Sequence, residues 1–349
     1  YQADQLGCER VPLARIAAEV GTPTYVYSLA ALRTSYQAYD RALAAVPHLV
    51  CYAIKANDTL AVIRTFAREG SGFDIVSGGE LVRALRAGAD PRRIVFAGVG
   101  KQPDEMAAAL RAGILMFNVE SAAELEALAT VAKQVGRRAP VAVRVNPDVD
   151  PKTHPYISTG MKKSKFGVAI DAALALYERA KELPAIEVIG VDCHIGSQLT
   201  SLGPFVDALA RVRALLGRLR EQGHTIRYFD IGGGLGITYG DEHPPTHAEY
   251  GAAIVDATRD LDVTVLVEPG RSLVGNAGVL LTRVIYLKSG AAKRFAIVDA
   301  AMNDLIRPSL YQAFHAIQPV ARPAGDTVIA VDVVGPICES GDFLAQDRA

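Results

Sequence analysis

Lys55 closes a short apolar run, CYAIK at 51–55, where a lysine is either a snorkelling surface residue or a working amine able to condense with a carbonyl. Glu268 closes another run, VTVLVE at 263–268, and a carboxylate at the end of an apolar strand is costly to bury without a partner. That partner is either a neighbouring cation or a ring nitrogen that the carboxylate keeps protonated. His194 ends VIGVDCH at 188–194 and is either a satisfied core histidine or an imidazole lying flat against an aromatic ring. DIGGGLGI at 230–237 holds Gly232, Gly233 and Gly234, whose backbone N–H groups either approach an anion closely or make a plain tight turn. EPGR at 268–271 is a second such turn, with Gly270 and Arg271, and Ser197 in HIGSQ can add a hydroxyl to the same anion. A strand-end amine, an anion cradle and a carboxylate for a ring nitrogen together describe a pyridoxal phosphate site, with Lys55 as its covalent anchor. An aldolase barrel working through a lysine would need no Glu268 opposite a phosphate, and ranks lower.

Elements of one kind must carry these residues to one place. Eight apolar, β-rich runs recur along the chain: LVCYAI (49–54), GFDIV (72–76), RIVFAG (93–98), ILMFNV (114–119), VAVRVN (141–146), VIGVDCH (188–194), RYFDIG (227–232) and VTVLVE (263–268). Helix-periodic segments separate them, among them GELVRALRAGA, PDEMAAALRAG, SAAELEALATVAKQVG and FVDALARVRALLGRLREQG; the second and third open with Pro/Asp and Ser, which suit helix starts. This alternation predicts an α/β fold with a (β/α)8 barrel, a doubly wound open sheet being the weaker alternative. In such barrels chemistry sits at the C-terminal ends of the strands, and phosphate most often binds after the seventh and eighth. Those ends carry Lys55, Asp74, the Lys101 of GVGK, Asn118, Glu120, Arg144, Asn146, His194, the glycine turn and Glu268. Asp74 reads as the residue that orients His194 or a lysine, and Arg144 and Asn146 as ordering the barrel mouth.

Beyond residue 280 the texture changes to longer β-rich runs, GVLLTRVIYLK, RFAIVDA and DTVIAVDVVG, with little helix between them. The expectation is a barrel over 31–280 and an all-β, sandwich-like domain built from 1–30 and 281–349, with TPTYVYS at 22–28 joining the β domain. The chain has 349 residues, half of them hydrophobic, and a formal charge of −1, so nothing points to nucleic acid or a membrane surface. Cys8, Cys51, Cys193 and Cys338 lie far apart with no CxxC pair, which argues against zinc and against a disulfide framework and makes a reducing cytoplasm the natural compartment. No apolar run reaches bilayer length and no leader pattern stands at the N-terminus.

The ordered motifs YAIKAN, GFDIVSGGE, RVNPDVD, HPYISTGMKKSKFG, HIGSQ, DIGGGLGI, EPGRSLVGNAG, VDAAMNDLIRPSLY and GPICESGDFLA span about residues 24–346, and by them the sequence closely resembles the fold type III pyridoxal phosphate decarboxylases. The resemblance implies a head-to-tail homodimer with shared active sites, in which Lys55 holds the cofactor, His194 stacks on its ring and Glu268 pairs with the ring nitrogen. Ser197, Gly233, Gly234 and the EPGR backbone would hold the phosphate. Arg271, Arg307 and Tyr311 would grip a distal amino-acid end of the substrate, guanidinium matching carboxylate in bidentate geometry. From the other subunit, Cys338 would donate a proton and Glu339 would meet the distal ammonium. Each has a plain competitor: Arg307 as a loop cap, Cys338 as a small buried hydrophobe. STGMKKSKFG at 158–167 reads as a solvated basic loop by composition and as an active-site lid by resemblance. Two departures stand out: Ala301 replaces a glycine usual in that family, and after CESGDFLAQDR the family continues with more β domain and a late cofactor-contacting tyrosine, so the β domain is expected to be incomplete. A racemase of the same fold would place an arginine at the ring nitrogen, against Glu268.

Overall fold

In the computed structural model, which describes residues 1–150, 165–323, 325 and 328–348, the chain divides into two compact units. The larger comprises Ala31–Ile237 and His243–Gly275, the smaller Tyr1–Ala30, Thr238–Glu242 and Asn276–Ala349. The larger unit is the expected barrel. Its strands are β1 (His48–Ala53), β2 (Gly72–Ile75), β3 (Ile94–Phe96), β4 (Met116–Val119), β5 (Ala139–Asn146), β6 (Ile186–Cys193), β7 (Tyr228–Asp230) and β8 (Thr264–Val267). Each pairs in parallel with its neighbours in sequence, and β8 pairs with β1 to close the ring. The run at 114–119 becomes strand only from Met116: Gly113 caps the preceding helix in the left-handed region and Leu115 donates to the Ile94 carbonyl before the ladder begins.

Leu49, Cys51, Val95, Met116, Ala142, Ile189 and Leu266 form one buried cluster drawn from the strands. Side chains on a strand share a face every second residue, so the next positions toward the C-terminal end on that face are Asn118, Arg144 and Glu268. The β-bulge between Val188 and Gly190 resets β6, after which Asp192 stands in register with Arg144 on one side and Asp230 on the other. An apolar layer is thus followed, toward the mouth, by a layer of charged and amide side chains.

Capping fixes where several barrel helices begin. Ser77 accepts from the Glu80 N–H (3.2 Å) ahead of Gly78–Ala87, Ser121 from the Glu124 N–H (3.1 Å) ahead of Ala122–Val135, and Gln102 with Glu105 makes a capping box ahead of Pro103–Ala112. Each such cap contributes about 1 kcal/mol. Gly88, Gly113 and Gly136 end these three helices with left-handed backbone.

The smaller unit is β-rich. Thr24–Tyr27 pairs antiparallel with Gly278–Leu281, and Val284–Ser289, Arg294–Val298, Val331–Val334 and Phe343–Arg348 form a second sheet in that order. The run GVLLTRVIYLK, read as one stretch, breaks at Thr282–Arg283 because Asp299 accepts from both the Thr282 hydroxyl (2.7 Å) and the Arg283 N–H (2.8 Å). Ala296, Val298, Ala300, Val333, Leu344 and Ala345 make its buried cluster. Residues 158–164 of the sequence-predicted loop lie outside the described residues. Among the described residues no helix is long and apolar enough to cross a membrane.

Candidate active site

A single 3-10 turn, Ile54–Ala56, follows β1 and carries Lys55 out of the ladder. Its Nζ donates to Asp74 Oδ2 at 2.7 Å, and Ala53 and Asp74 stand opposite each other in the β1–β2 register. Asp74 thus meets a lysine, one of the two partners expected for it. The barrel mouth desolvates the Lys55 amine, which works against its charge, but the carboxylates of Asp74 and Glu268 outweigh this and raise its pKa. The EPGR turn lies against the same segment: Ala53 donates to the Pro269 carbonyl (3.1 Å), and a methyl group on Gly270 would meet the Ala53 and Ala56 side chains at 3.3 and 3.1 Å.

Glu268 is buried, and its Oε1 finds no hydrogen-bond partner among the described residues. Burial first, then the nearby charges of Asp230, Asp74 and Asp192, push its carboxyl well above the usual carboxylate range. The cations are already claimed: Lys55 pairs with Asp74, and Arg144 donates to Glu120 Oε1 at 3.0 Å. Among the described residues no salt bridge to Glu268 forms, and an orphaned acceptor in such a place suits a protonated ring nitrogen.

The glycine turn is set by its neighbours. Gly232 has φ +71° and Gly234 φ +122°, and a Cβ on them would stand 2.6 Å from His194 Nδ1 and 2.7 Å from the Gly196 carbonyl. Gly233 N–H donates to His194 Nδ1 (3.1 Å), which leaves the His194 proton on Nε2. Burial, then the positive charges of Arg144 and Lys55, push His194 well below its ordinary pKa, so the ring is a neutral plane. Ser197 Oγ accepts from Arg271 Nε and Nη2 at 3.3 and 3.2 Å, joining the two loops expected to share a phosphate.

A model of the pyridoxal-dependent decarboxylases, covering their pyridoxal binding domain, matches residues 29–275. The chain belongs to that family. A protein named diaminopimelate decarboxylase from Pseudomonas aeruginosa is 59% identical over 348 residues, covering 100% of this chain and 84% of the relative, and one of the same name from Vibrio cholerae is 53% identical over 350 residues, with coverage of 100% and 84%. The crystal structure of diaminopimelate decarboxylase from Helicobacter pylori complexed with L-lysine superposes with a TM-score of 0.91 at 42% identity, covering 96% of this chain and 84% of that one.

The residues of the larger unit fit pyridoxal phosphate. Lys55 offers the amine, His194 a flat neutral ring, the Gly232–Gly234 turn a close backbone approach and Glu268 an oxygen, Oε1, with no hydrogen-bond partner among the described residues. The remaining sequence-predicted residues belong to the smaller unit. Arg307 opens the helix Arg307–Tyr311, bonds the His315 ring at 3.0 Å and lies 4.4 Å over the Tyr239 ring. Cys338 is exposed, and Glu339 Oε1 accepts from Gly341 N–H at 3.3 Å.

Three strand-end groups have structural work. Lys101 Nζ is buried against the Gly98 and Asn118 carbonyls and Glu124, at 2.8, 2.7 and 2.6 Å. Glu120 accepts from Gly98 N–H (3.1 Å) and Gly167 N–H (3.0 Å) as well as Arg144, and Asn146 accepts from Asp148 N–H (2.9 Å). Sequence reasoning passed over Asp192 and Asp230. Each is a carboxylate inside an apolar run, the signal that singled out Glu268.

Proposed function

We propose that this chain catalyses the pyridoxal phosphate-dependent decarboxylation of meso-2,6-diaminopimelate, giving L-lysine and carbon dioxide. The observation that carries the reading is Glu268, a buried carboxyl with an unpartnered oxygen at the barrel mouth that also holds Lys55, in a chain 59% identical to a relative of that name. When bound, pyridoxal phosphate supplies an electron sink for the charge left on carbon as carbon dioxide departs.

Lys55 would hold the cofactor through its amine, and Asp74, its hydrogen-bond partner, would receive and return the Lys55 proton. Glu268 keeps a proton at the ring nitrogen, without which the sink loses its strength. His194, neutral and planar, would lie against the ring face and keep water from it. Ser197, Gly233, Gly234 and Gly270 hold the phosphate at the ends of β6, β7 and β8. Arg271, Arg307 and Tyr311 bind the distal carboxylate and Glu339 the distal ammonium, which selects an amino acid with two such ends. Cys338 or the freed Lys55 returns a proton to carbon. The assembly is a cytoplasmic homodimer with Cys338 and Glu339 reaching the partner's site, a reading that rests on the family resemblance.

The test offers meso-diaminopimelate, ornithine and lysine in parallel and measures carbon dioxide. Release from diaminopimelate alone, abolished in Lys55→Ala together with the visible absorption of bound cofactor, is expected. Release from ornithine and not from diaminopimelate overturns the substrate.

A further inference from the structure

Beneath Glu268 the barrel interior carries an arrangement that the roles above do not use. Asp230, at the end of β7 and fully buried, accepts from Gly232 N–H on Oδ1 (3.0 Å) and from Asn118 Nδ2, across the barrel on β4, on Oδ2 (3.0 Å). The Glu268 carboxyl is its electrostatic neighbour, linked to it through the Gly232 turn. The same turn is tied to Glu268 through the backbone, since Glu268 N–H donates to the Gly232 carbonyl at 2.8 Å. Two neighbouring carboxyls buried together repel each other as anions, so one of them holds a proton.

The groups around the pair make that proton obligatory. Asp74 and Asp192 add two more carboxyls, and the cations within reach, Lys55 and Arg144, are paired with Asp74 and Glu120. The remaining titratable neighbours among the described residues bring no positive charge: burial pushes the acids Cys51, Cys193 and Tyr250 upward, and burial with the charges of Arg144 and Lys55 pushes His194 well down, so that it is neutral. Asp230 already accepts from two N–H donors, whereas Glu268 Oε1 has none, so the proton resides on the Glu268 side.

We propose that Asn118 and Asp230 are positioning residues for Glu268: Asp230, fixed by Asn118 and the glycine turn, keeps a proton on Glu268 and aims that carboxyl at the ring nitrogen. When a basic nitrogen arrives, the Glu268 O–H bond breaks, an N–H bond forms on the ring and Glu268 is left as the carboxylate that holds it. The inference rests on the reading of Glu268 as the ring-nitrogen partner, but the proton on Glu268 belongs to the chain alone.

Infrared spectroscopy of the cofactor-free chain reads that proton directly, as the carbonyl stretch of a protonated carboxyl that disappears in Glu268→Gln. In Asp230→Asn the fold is retained by a flip of the Asn118 amide, whose Oδ1 has no partner among the described residues and can accept from the new amide. With the neighbouring charge gone, Glu268 loses its proton at a pH lower by about one unit, a tenfold fall in proton affinity. Asn118→Ala takes a donor from Asp230 and shifts the same signal to higher pH. A role confined to packing gives no such opposed shifts. In the holoenzyme the alkaline limb of the pH–rate profile moves down with Asp230→Asn and returns toward the parent in Asp230→Glu. A Glu268 signal that titrates identically in parent, Asp230→Asn and Asn118→Ala overturns the proposal. A chain that shows the opposed shifts and never acquires the visible absorption of bound pyridoxal phosphate overturns instead the function proposed above.

Discussion

Under the proposed function, Lys55 and Asp74 form the contact on which cofactor loading turns. A lysine condenses with an aldehyde only as the free amine, and Asp74 and Glu268 hold Lys55 in its ammonium form, with its pKa raised. Loading of the cofactor-free chain with pyridoxal phosphate is therefore expected to accelerate as pH rises toward the raised lysine value. Asp74→Asn removes the larger of the two carboxylate charges that raise the amine, so half-maximal loading rate should move to lower pH. Stopped-flow absorption across pH reads this, and a profile that does not move contradicts the assigned role of Asp74. Lys55, His194 and Glu268 were legible in the sequence because each ends an apolar run where a polar residue is out of place. Asn118 and Asp230 meet across 112 positions of chain, and nothing in either local pattern names the other. Only barrel closure brings them within 3.0 Å.

At the scale of the element, glycine has two different tasks here, and their substitutions separate. Gly88 ends the helix Gly78–Ala87 at φ +93° with nothing within 4 Å of the position a Cβ would take. Gly88→Ala is expected to cost about 1 kcal/mol of stability and leave cofactor affinity unchanged. Gly232 combines φ +71° with a Cβ position 2.6 Å from His194 Nδ1. Gly232→Ala adds to a backbone cost of about 1–3 kcal/mol a displacement of His194 or of the turn, and cofactor affinity falls by at least about tenfold. Thermal unfolding and titration with pyridoxal phosphate distinguish the two; equal affinity in both variants speaks against the turn as cofactor cradle. Helix starts were readable where side chains set them, as at Ser121. Strand limits were not where a tertiary contact sets them, as at Thr282–Arg283, which obeys Asp299, just past the end of the strand Arg294–Val298.

Over the whole molecule, the barrel stores unfavourable charge in the place that function needs it. The eight-run alternation was enough to expect the barrel, because period and order are local properties. The bulge in β6 that turns Asp192 inward is not local, and the charge layer it completes has a consequence for stability. Burial, with Asp230, Asp74 and Asp192, holds the Glu268 carboxyl well above its ordinary range. In the unfolded chain the same group ionises near about pH 4.3. Between that value and the raised one the folded state binds the extra proton, so this contribution falls as pH rises, by up to about 1.4 kcal/mol per unit. His194 acts in the opposite sense: its folded value is depressed, so its contribution grows with pH and levels off near about pH 6.5. Comparison with Glu268→Gln cancels His194 and isolates the carboxyl. In cofactor-free chains the melting temperature of Glu268→Gln should gain on the parent as pH rises from 5 toward the raised carboxyl value. Pyridoxal phosphate should close part of that gap by giving the parent's Glu268 a positive partner. A gap constant across that range means that Glu268 is ionised throughout, and then neither the stored proton nor the polar layer's strain exists.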